Sequence, residues 1–232
     1  MKFPGFTVFV SLLALLMPGI SQAEGLTLGA TRLIYESGKK ESSVPLRNGA
    51  DSVPWLVQSW VSDFERKNTN VPFITTPPLF KLGQQSTSAI RVVYVGSGES
   101  KLPDDRESVF LLNVRAVPAV QKEANPSRLV IATQNIIKLI YRPAGLTAQG
   151  AGEAGQKLKL VPGTNSINVV NPTAYVVTLT GMKVNEQPVE RPGTLMPFSS
   201  KQIKVPAARV RHVAFSTIND YGGITSVRDE KF

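Results

Sequence analysis

The sequence predicts an all-β protein built as two β-sandwich units in series, and three observations carry that prediction. Short stretches rich in β-branched and aromatic residues recur at close spacing, separated by Gly, Pro and Asn turns. No stretch shows a convincing helical period. The 17 prolines and 18 glycines in 232 residues suit many turns and few long helices.

The elements follow in order. Residues 25–35 (GLTLGATRLIY) read as a strand with a bulge or face switch near Gly29. Arg32 sits inside this apolar run, either as a charge guarding an edge strand or as a buried cation awaiting a carboxylate. Residues 43–47 form a short strand before the Asn48-Gly49 turn. Residues 53–61 (VPWLVQSWV) form a clear strand, with Trp55 or Trp60 in the core. Residues 72–82 are a strand broken by Pro77-Pro78, which suits an edge or a corner where the chain changes sheets. Residues 88–95 and 107–117 are further strands. The longest is at 129–143 (LVIATQNIIKLIYRP), and the chain is organised around it. Its alternation sets, Leu129, Ile131, Thr133, Asn135, Ile137, Leu139 and Val130, Ala132, Gln134, Ile136, Lys138, Ile140, both carry apolar residues. Something must therefore cover each face, either the rest of a sandwich or another chain. Roughly seven strands at this spacing read as an immunoglobulin-like sandwich. After Arg142-Pro143 comes a small, flexible segment at 149–156, expected as an exposed loop. A second β unit follows, with strands at 157–161, 166–170, 174–182, 193–197, 200–205, 212–218 and 226–227, and a tight turn at 218–223. The expected division is a signal segment 1–23, a first domain 24–141 and a second domain 142–232.

Composition bounds the chemistry. There is no cysteine, so disulfides, thiol chemistry and cysteine-bound zinc are excluded. His212 is the one histidine, flanked by Arg209 and Arg211, and reads as a surface side chain on a strand. No nucleophile–base constellation, phosphate loop or metal motif is present. Asp104, Asp105 and Glu107 lie close together, which turn capping explains as well as catalysis does. An enzyme is the weakest class, and no cofactor is expected. The first 23 residues have a cationic start at Lys2, an apolar core FTVFVSLLALLM and a small-x-small site at Ser21-Gln22-Ala23, the pattern of a cleaved secretory signal. No later segment is long and apolar enough for a membrane helix. The net charge of +9 favours acidic partners, but export argues against nucleic acid. Arg32, Lys138 and Arg142 stand in apolar β contexts, where a charge must find a partner or cost several kcal/mol.

Residues 102–119 (LPDDRESVFLLNVRAVPA) resemble the signature of the PapD-like periplasmic chaperones of pilus assembly, with Leu111 where an aromatic is usual. Further matches run in order along the chain: Ala30-Thr31-Arg32, LVQSWV at 56–61, PPLFKL at 77–82, IKLIYRP at 137–143, Asn171-Pro172-Thr173 and INDYGG at 218–223. The resemblance implies two immunoglobulin-like domains at an angle with a cleft between them. It casts Arg32 and Lys138 as the pair that anchors the C-terminal carboxylate of a fimbrial subunit, through charge-assisted hydrogen bonds. Leu129, Ile131 and Thr133 become the side chains lent to the subunit's groove, in strand addition of the kind for which chaperone–pilin pairs are a known example. Thr133 is smaller than the usual residue and fills its pocket less well. Strict alternation places Lys138 opposite these three, so a twist or bulge before Lys138 is expected. Glu107, Arg142 and Asp220 match an interdomain salt-bridge network, and Leu26 and Leu28 add contacts. The short connection at 118–127 resembles the short-loop subclass. The implied partners are fimbrial subunits and an outer-membrane usher, in the periplasm, with self-capping as a homodimer open to a free edge strand. The competing reading is a secreted two-domain adhesin or carbohydrate-binding module. It requires aromatic side chains exposed in loops, whereas these aromatics fall mostly within strands.

Overall fold

A computed structural model describes residues 25–49, 53–119, 129–205 and 209–232. The expected signal segment and most of the 118–127 connection lie outside the described residues.

The first unit contains β1 (Leu26–Leu28), β2 (Arg32–Glu36), β3 (Ser42–Asn48), β4 (Trp55–Asp63), β5 (Phe73–Thr76), β6 (Leu79–Leu82), β7 (Thr87–Tyr94), β8 (Ser108–Pro118) and β9 (Thr133–Arg142). They form two sheets, ordered β1-β3-β7-β5 and β2-β9-β8-β4-β6. Period-two patterning decides what enters the space between them. β3 buries Val44 and Leu46, β7 buries Ile90 and Val92, and β8 buries Leu112, Val114 and Ala116 in one core. Trp55 packs against that core. Trp60 lies on the other alternation set of β4, outside it.

The chain changes sheets at the corner expected at Pro77-Pro78, and also near Gly29, where only a bulge or face switch within one strand is expected from the sequence. The stretch expected as one strand at 25–35 is two, β1 on β3 and β2 on β9. Between them the Gly29 amide donates to Pro45 O at 2.9 Å, and a Cβ on Gly29 would collide with the Pro45 ring. At Pro77-Pro78 the missing N–H groups end one ladder before the next begins. Ser59 fastens this corner, donating from its amide to Pro78 O at 2.9 Å and from its hydroxyl to Pro77 O at 3.1 Å.

The second unit contains α1 (Ala148–Ala154), β10 (Lys159–Gly163), β11 (Ser166–Asn171), β12 (Val177–Val184), β13 (Gln187–Pro188), β14 (Gly193–Leu195), β15 (Ser199–Lys204), β16 (His212–Thr217) and β17 (Arg228–Lys231). One sheet runs β10-β11-β15. The other runs β13-β12-β16-β17, with β14 also on β12. Ile167, Val169, Leu179, Met182, Val184, Leu195, Val213 and Phe215 meet in a core separate from the first. The fold is thus all-β with two immunoglobulin-like sandwiches.

Two local expectations are corrected. The segment at 149–156 is not an exposed loop: α1 occupies most of it, continued by a 3₁₀ turn at Gly155–Lys157. The Thr147 hydroxyl caps α1 by accepting from the Gly150 amide at 3.1 Å. Ala154 and Gly155 are buried, and a Cβ on Gly150 or Gly155 would collide with Tyr175 or Thr217. Glycine weakens helix propensity, so composition hid a helix that close packing makes. The closing strand is β17 at 228–231, not a pair at 226–227. It pairs Phe215↔Arg228 through His212↔Lys231 with β16.

Candidate functional site

β9 lies between β8 and β2, and its two edges differ. Along β8 the antiparallel ladder is complete, from Ala116↔Thr133 to Ser108↔Tyr141. Along β2 the parallel ladder spans only Arg32↔Lys138 to Glu36↔Arg142, because the chain before Arg32 has left for the other sheet. From Thr133 to Ile137 this edge has no strand partner among the described residues. An unpaired row of backbone donors and acceptors is a template for another chain.

The strand expected from Leu129 begins instead at Thr133. The reason is the loss of partners on both sides. Beyond Ala116, β8 reaches Pro118, which has no N–H to give, and β2 is absent on the other edge. Leu129 and Ile131 are left 84% and 66% exposed, and Thr133 is exposed as well. Leu26 and Leu28 pack instead against the first domain's own core.

The bulge expected before Lys138 is also absent, since the β8–β9 register runs without a shift. Thr133 therefore shares a face with Ile137, Leu139 and Tyr141, which enter the first core. Lys138 takes the opposite face, toward the second domain. The two features need no irregularity to coexist, because they use different faces of one strand.

Arg32 and Lys138 are register partners on adjacent strands. Arg32 Nη1 donates to Ile218 O at 3.0 Å, and its Nε is buried without a partner. Lys138 Nζ donates to Thr178 Oγ1 at 2.8 Å and to Thr194 Oγ1 at 2.7 Å. Neither cation has a carboxylate in an ion pair among the described residues. Burial, and then the Arg32 charge, lower the Lys138 pKa to about 8. Burial likewise lowers that of Arg32, against the attraction of Asp220. Two partly dry cations side by side, with donors to spare, are suited to receive one carboxylate.

Four residues along the same face, Arg142 is fully matched. Its Nε donates to Glu107 Oε1 at 2.7 Å, and Nη1 and Nη2 donate to Asp220 Oδ2 and Oδ1 at 2.7 and 3.0 Å. Glu107 Oε2 also accepts from the Val176 amide at 2.8 Å. The Arg142 and Glu107 side chains are 4% and 1% exposed. Burial opposes the Arg142 charge, but Asp220 and Glu107 hold its pKa above the ordinary value. Burial pushes the Glu107 carboxyl up, against the pull of the Val176 amide and Arg142. Asp220 sits in the expected tight turn, where Asn219 Oδ1 accepts from the Tyr221 and Gly223 amides at 3.1 and 2.8 Å. Gly222 is required there twice over. Its φ is 84°, and a Cβ would collide with the Thr31 hydroxyl across the domain joint.

The carboxylates at 104–107 go separate ways. Asp105 pairs with exposed Arg106, Asp104 faces Lys101, and only Glu107 is buried. His212 is held between Glu186 Oε1 at 2.9 Å and Asp229 Oδ2 at 2.8 Å. Sequence reasoning missed Thr178, Thr194 and the Ile218 carbonyl. Threonine is ordinary in a strand and a carbonyl has no sequence signal, so nothing marked them. Among the described residues no helix is long and apolar enough to cross a membrane.

The structure is that of an all-β, two-sandwich protein whose first domain leaves half a strand edge open beside two cations that have no ion-paired carboxylate among the described residues. Residues 25–147 match the family described as "Pili and flagellar-assembly chaperone, PapD N-terminal domain", and residues 153–228 match "Pili assembly chaperone PapD, C-terminal domain". The chain is 41% identical over 202 residues to the probable fimbrial chaperone protein ElfD of Escherichia coli K12, covering 87% of this chain and 84% of that one. It is 36% identical over 220 residues to the chaperone protein LpfB of Salmonella typhimurium, covering 92% and 93%. It superposes on a chain of the Salmonella enterica SafA pilin–SafB chaperone complex with a TM-score of 0.79 at 27% identity, covering 91% of this chain and 98% of that one. The chain belongs to the PapD family of pilus-assembly chaperones.

Proposed function

We propose that this protein is a periplasmic chaperone that binds, folds and caps fimbrial subunits and delivers them to an outer-membrane usher. The observation that carries the reading is the open edge of β9 beside Arg32 and Lys138. In this reading the edge strand expected from Leu129 to Tyr141 is lent to a subunit that lacks a strand, over its part up to Ile137, since β2 already covers the edge from Lys138 on. Backbone hydrogen bonds supply affinity, and Leu129, Ile131 and Thr133 fill its groove. Arg32 and Lys138 take the subunit's terminal carboxylate, which fixes the register. Glu107, Arg142 and Asp220 hold the orientation of the two domains. The work is non-enzymatic: release follows exchange for a better-fitting subunit strand. With no subunit present, the same edge accepts a second copy of the chain.

The test is co-purification from the periplasm with co-expressed fimbrial subunits, wild type against Lys138→Ala. A one-to-one complex that the variant loses supports strand donation with a carboxylate anchor. A complex retained by the variant removes the anchor. No complex with any subunit sinks the chaperone reading.

A further inference from the structure

The Lys138 ammonium reaches out of the first domain and is held by the second. Its two acceptors are a directly opposed pair on β12 and β14, Thr178↔Thr194, with hydroxyl oxygens 3.5 Å apart. Threonine is stiff at χ1, so the backbone ladder fixes where both oxygens sit. Thr178 does a second job. Its carbonyl accepts from the Ile218 amide at 3.0 Å, and the Ile218 carbonyl in turn accepts from Arg32 at 3.0 Å. One residue of the second domain thus locates both cations of the first.

We infer that Thr178 and Thr194 are positioning residues for carboxylate capture, clamping the Lys138 ammonium so that its third N–H is presented beside Arg32. This inference rests on the anchor reading of Arg32 and Lys138. An ammonium has three donors, and the clamp uses two. A lysine stem is long and flexible, and ordering it only when the ligand arrives would weaken binding. The clamp orders it beforehand. It also supports the charge, because hydrogen bonds accepted from an ammonium favour its protonated form.

The surrounding charges set the direction of the effect. On β2 the neighbour is Arg32, which works against the Lys138 charge. On β9 Arg142 is occupied by Glu107 and Asp220. On β8 the register partner is uncharged Leu111. From β12 and β14 come the two hydroxyls. Nothing else among these groups replaces the hydroxyls as acceptors for the ammonium, so removing them lowers the pKa further. Capture of a carboxylate then fails at a lower pH.

The experiment uses the full chain with Thr178→Val, Thr194→Val and the double substitution, beside Thr178→Ser and Thr194→Ser. The first readout is the Lys138 titration in the free protein, followed by NMR at its ¹³C-labelled ε carbon. The second is the pH profile of binding to two synthetic peptides with the C-terminal strand sequence of a co-purifying subunit. One peptide ends in a free carboxylate and the other in an amide. The valine variants are expected to titrate below the wild-type value of about 8. A downward shift of one pKa unit would leave roughly tenfold less charged lysine above the midpoint, and the carboxylate peptide would weaken there by a similar factor. The amide peptide should be unaffected, and the serine variants should behave as wild type. Folded valine variants with an unchanged Lys138 titration and an unchanged carboxylate preference overturn the inference. Should the double variant not fold, the single variants decide by the same two readouts. A wild type that binds both peptides equally overturns the anchor reading instead, and the free-protein titration still judges the clamp.

Discussion

At the scale of single residues, Lys138 and Arg142 show two solutions to the same problem. Arg142 has two carboxylates; Lys138 has hydroxyls and a cationic neighbour. Glu107→Ala leaves Arg142 paired with Asp220 but strips the acceptor from its buried Nε and from the Val176 amide, and should cost about 1–3 kcal/mol in denaturant unfolding. Lys138→Met should behave oppositely, leaving the free protein at least as stable as wild type while abolishing subunit capture. The pH dependence has a defined sign. The folded value of about 8 lies below the ordinary lysine value. Between about 8 and about 10.4 the unfolded chain therefore holds the extra proton, and this group's contribution to stability rises with pH. Affinity for a carboxylate falls over the same window, because the cation is lost. Thermal melts and peptide titrations at pH 7 and pH 9, wild type against Lys138→Met, check both limbs. His212 runs the other way. Hydrogen bonding to Asp229 raises its pKa against the opposing effect of burial, and the Asp229 charge and the Glu186 contact add to the rise. Its contribution is present below the ordinary histidine value and lost as pH rises through the raised one. Hydrogen exchange at β17 should accordingly quicken across that range in wild type, but not in His212→Ala. Arg32, Lys138 and Arg142 were legible in the sequence as charges among apolar neighbours. Their acceptors Thr178 and Thr194 were not, because the spatial meeting of two domains makes them acceptors.

At the scale of elements, β9 explains why a sequence reading got the segment right and its details wrong. Alternation located the strand and its two faces. Where the strand stops depends on its neighbours: Pro118 on β8 and the departure of the chain at Gly29 leave Leu129 to Ala132 without a ladder. The expected bulge assumed that the lent side chains and Lys138 must share a face, whereas the unbroken register puts Thr133 and Lys138 on opposite ones. Helix α1 escaped notice because its glycines read as a loop, although they are what lets it pack against Tyr175 and Thr217. The short side chain at Thr133 gives a direct test. Thr133→Ile adds apolar surface that only a bound subunit would bury. Subunit affinity should therefore rise about fivefold, from roughly 1 kcal/mol of added burial, with the melting temperature of the free chain little changed. Ile131→Asp should abolish subunit binding with the fold intact. Loss of the fold in Ile131→Asp would show that this exposed residue serves the chaperone's own core.

At the scale of the whole molecule, the contacts that join two separate cores include the Glu107–Arg142–Asp220 network, Lys138 on its two threonines and Arg32 on Ile218. The central claim is that the edge of β9 left open by β2 is the surface given to another chain. Hydrogen–deuterium exchange of β9, with and without a bound fimbrial subunit, tests it most directly. The amides between Ile131 and Ile137 that point away from β8 should exchange fast in the free protein and become protected in the complex, with little change from Lys138 to Arg142, where β2 already covers the edge. A stable complex in which the 131–137 amides stay as fast as in the free protein would contradict strand donation.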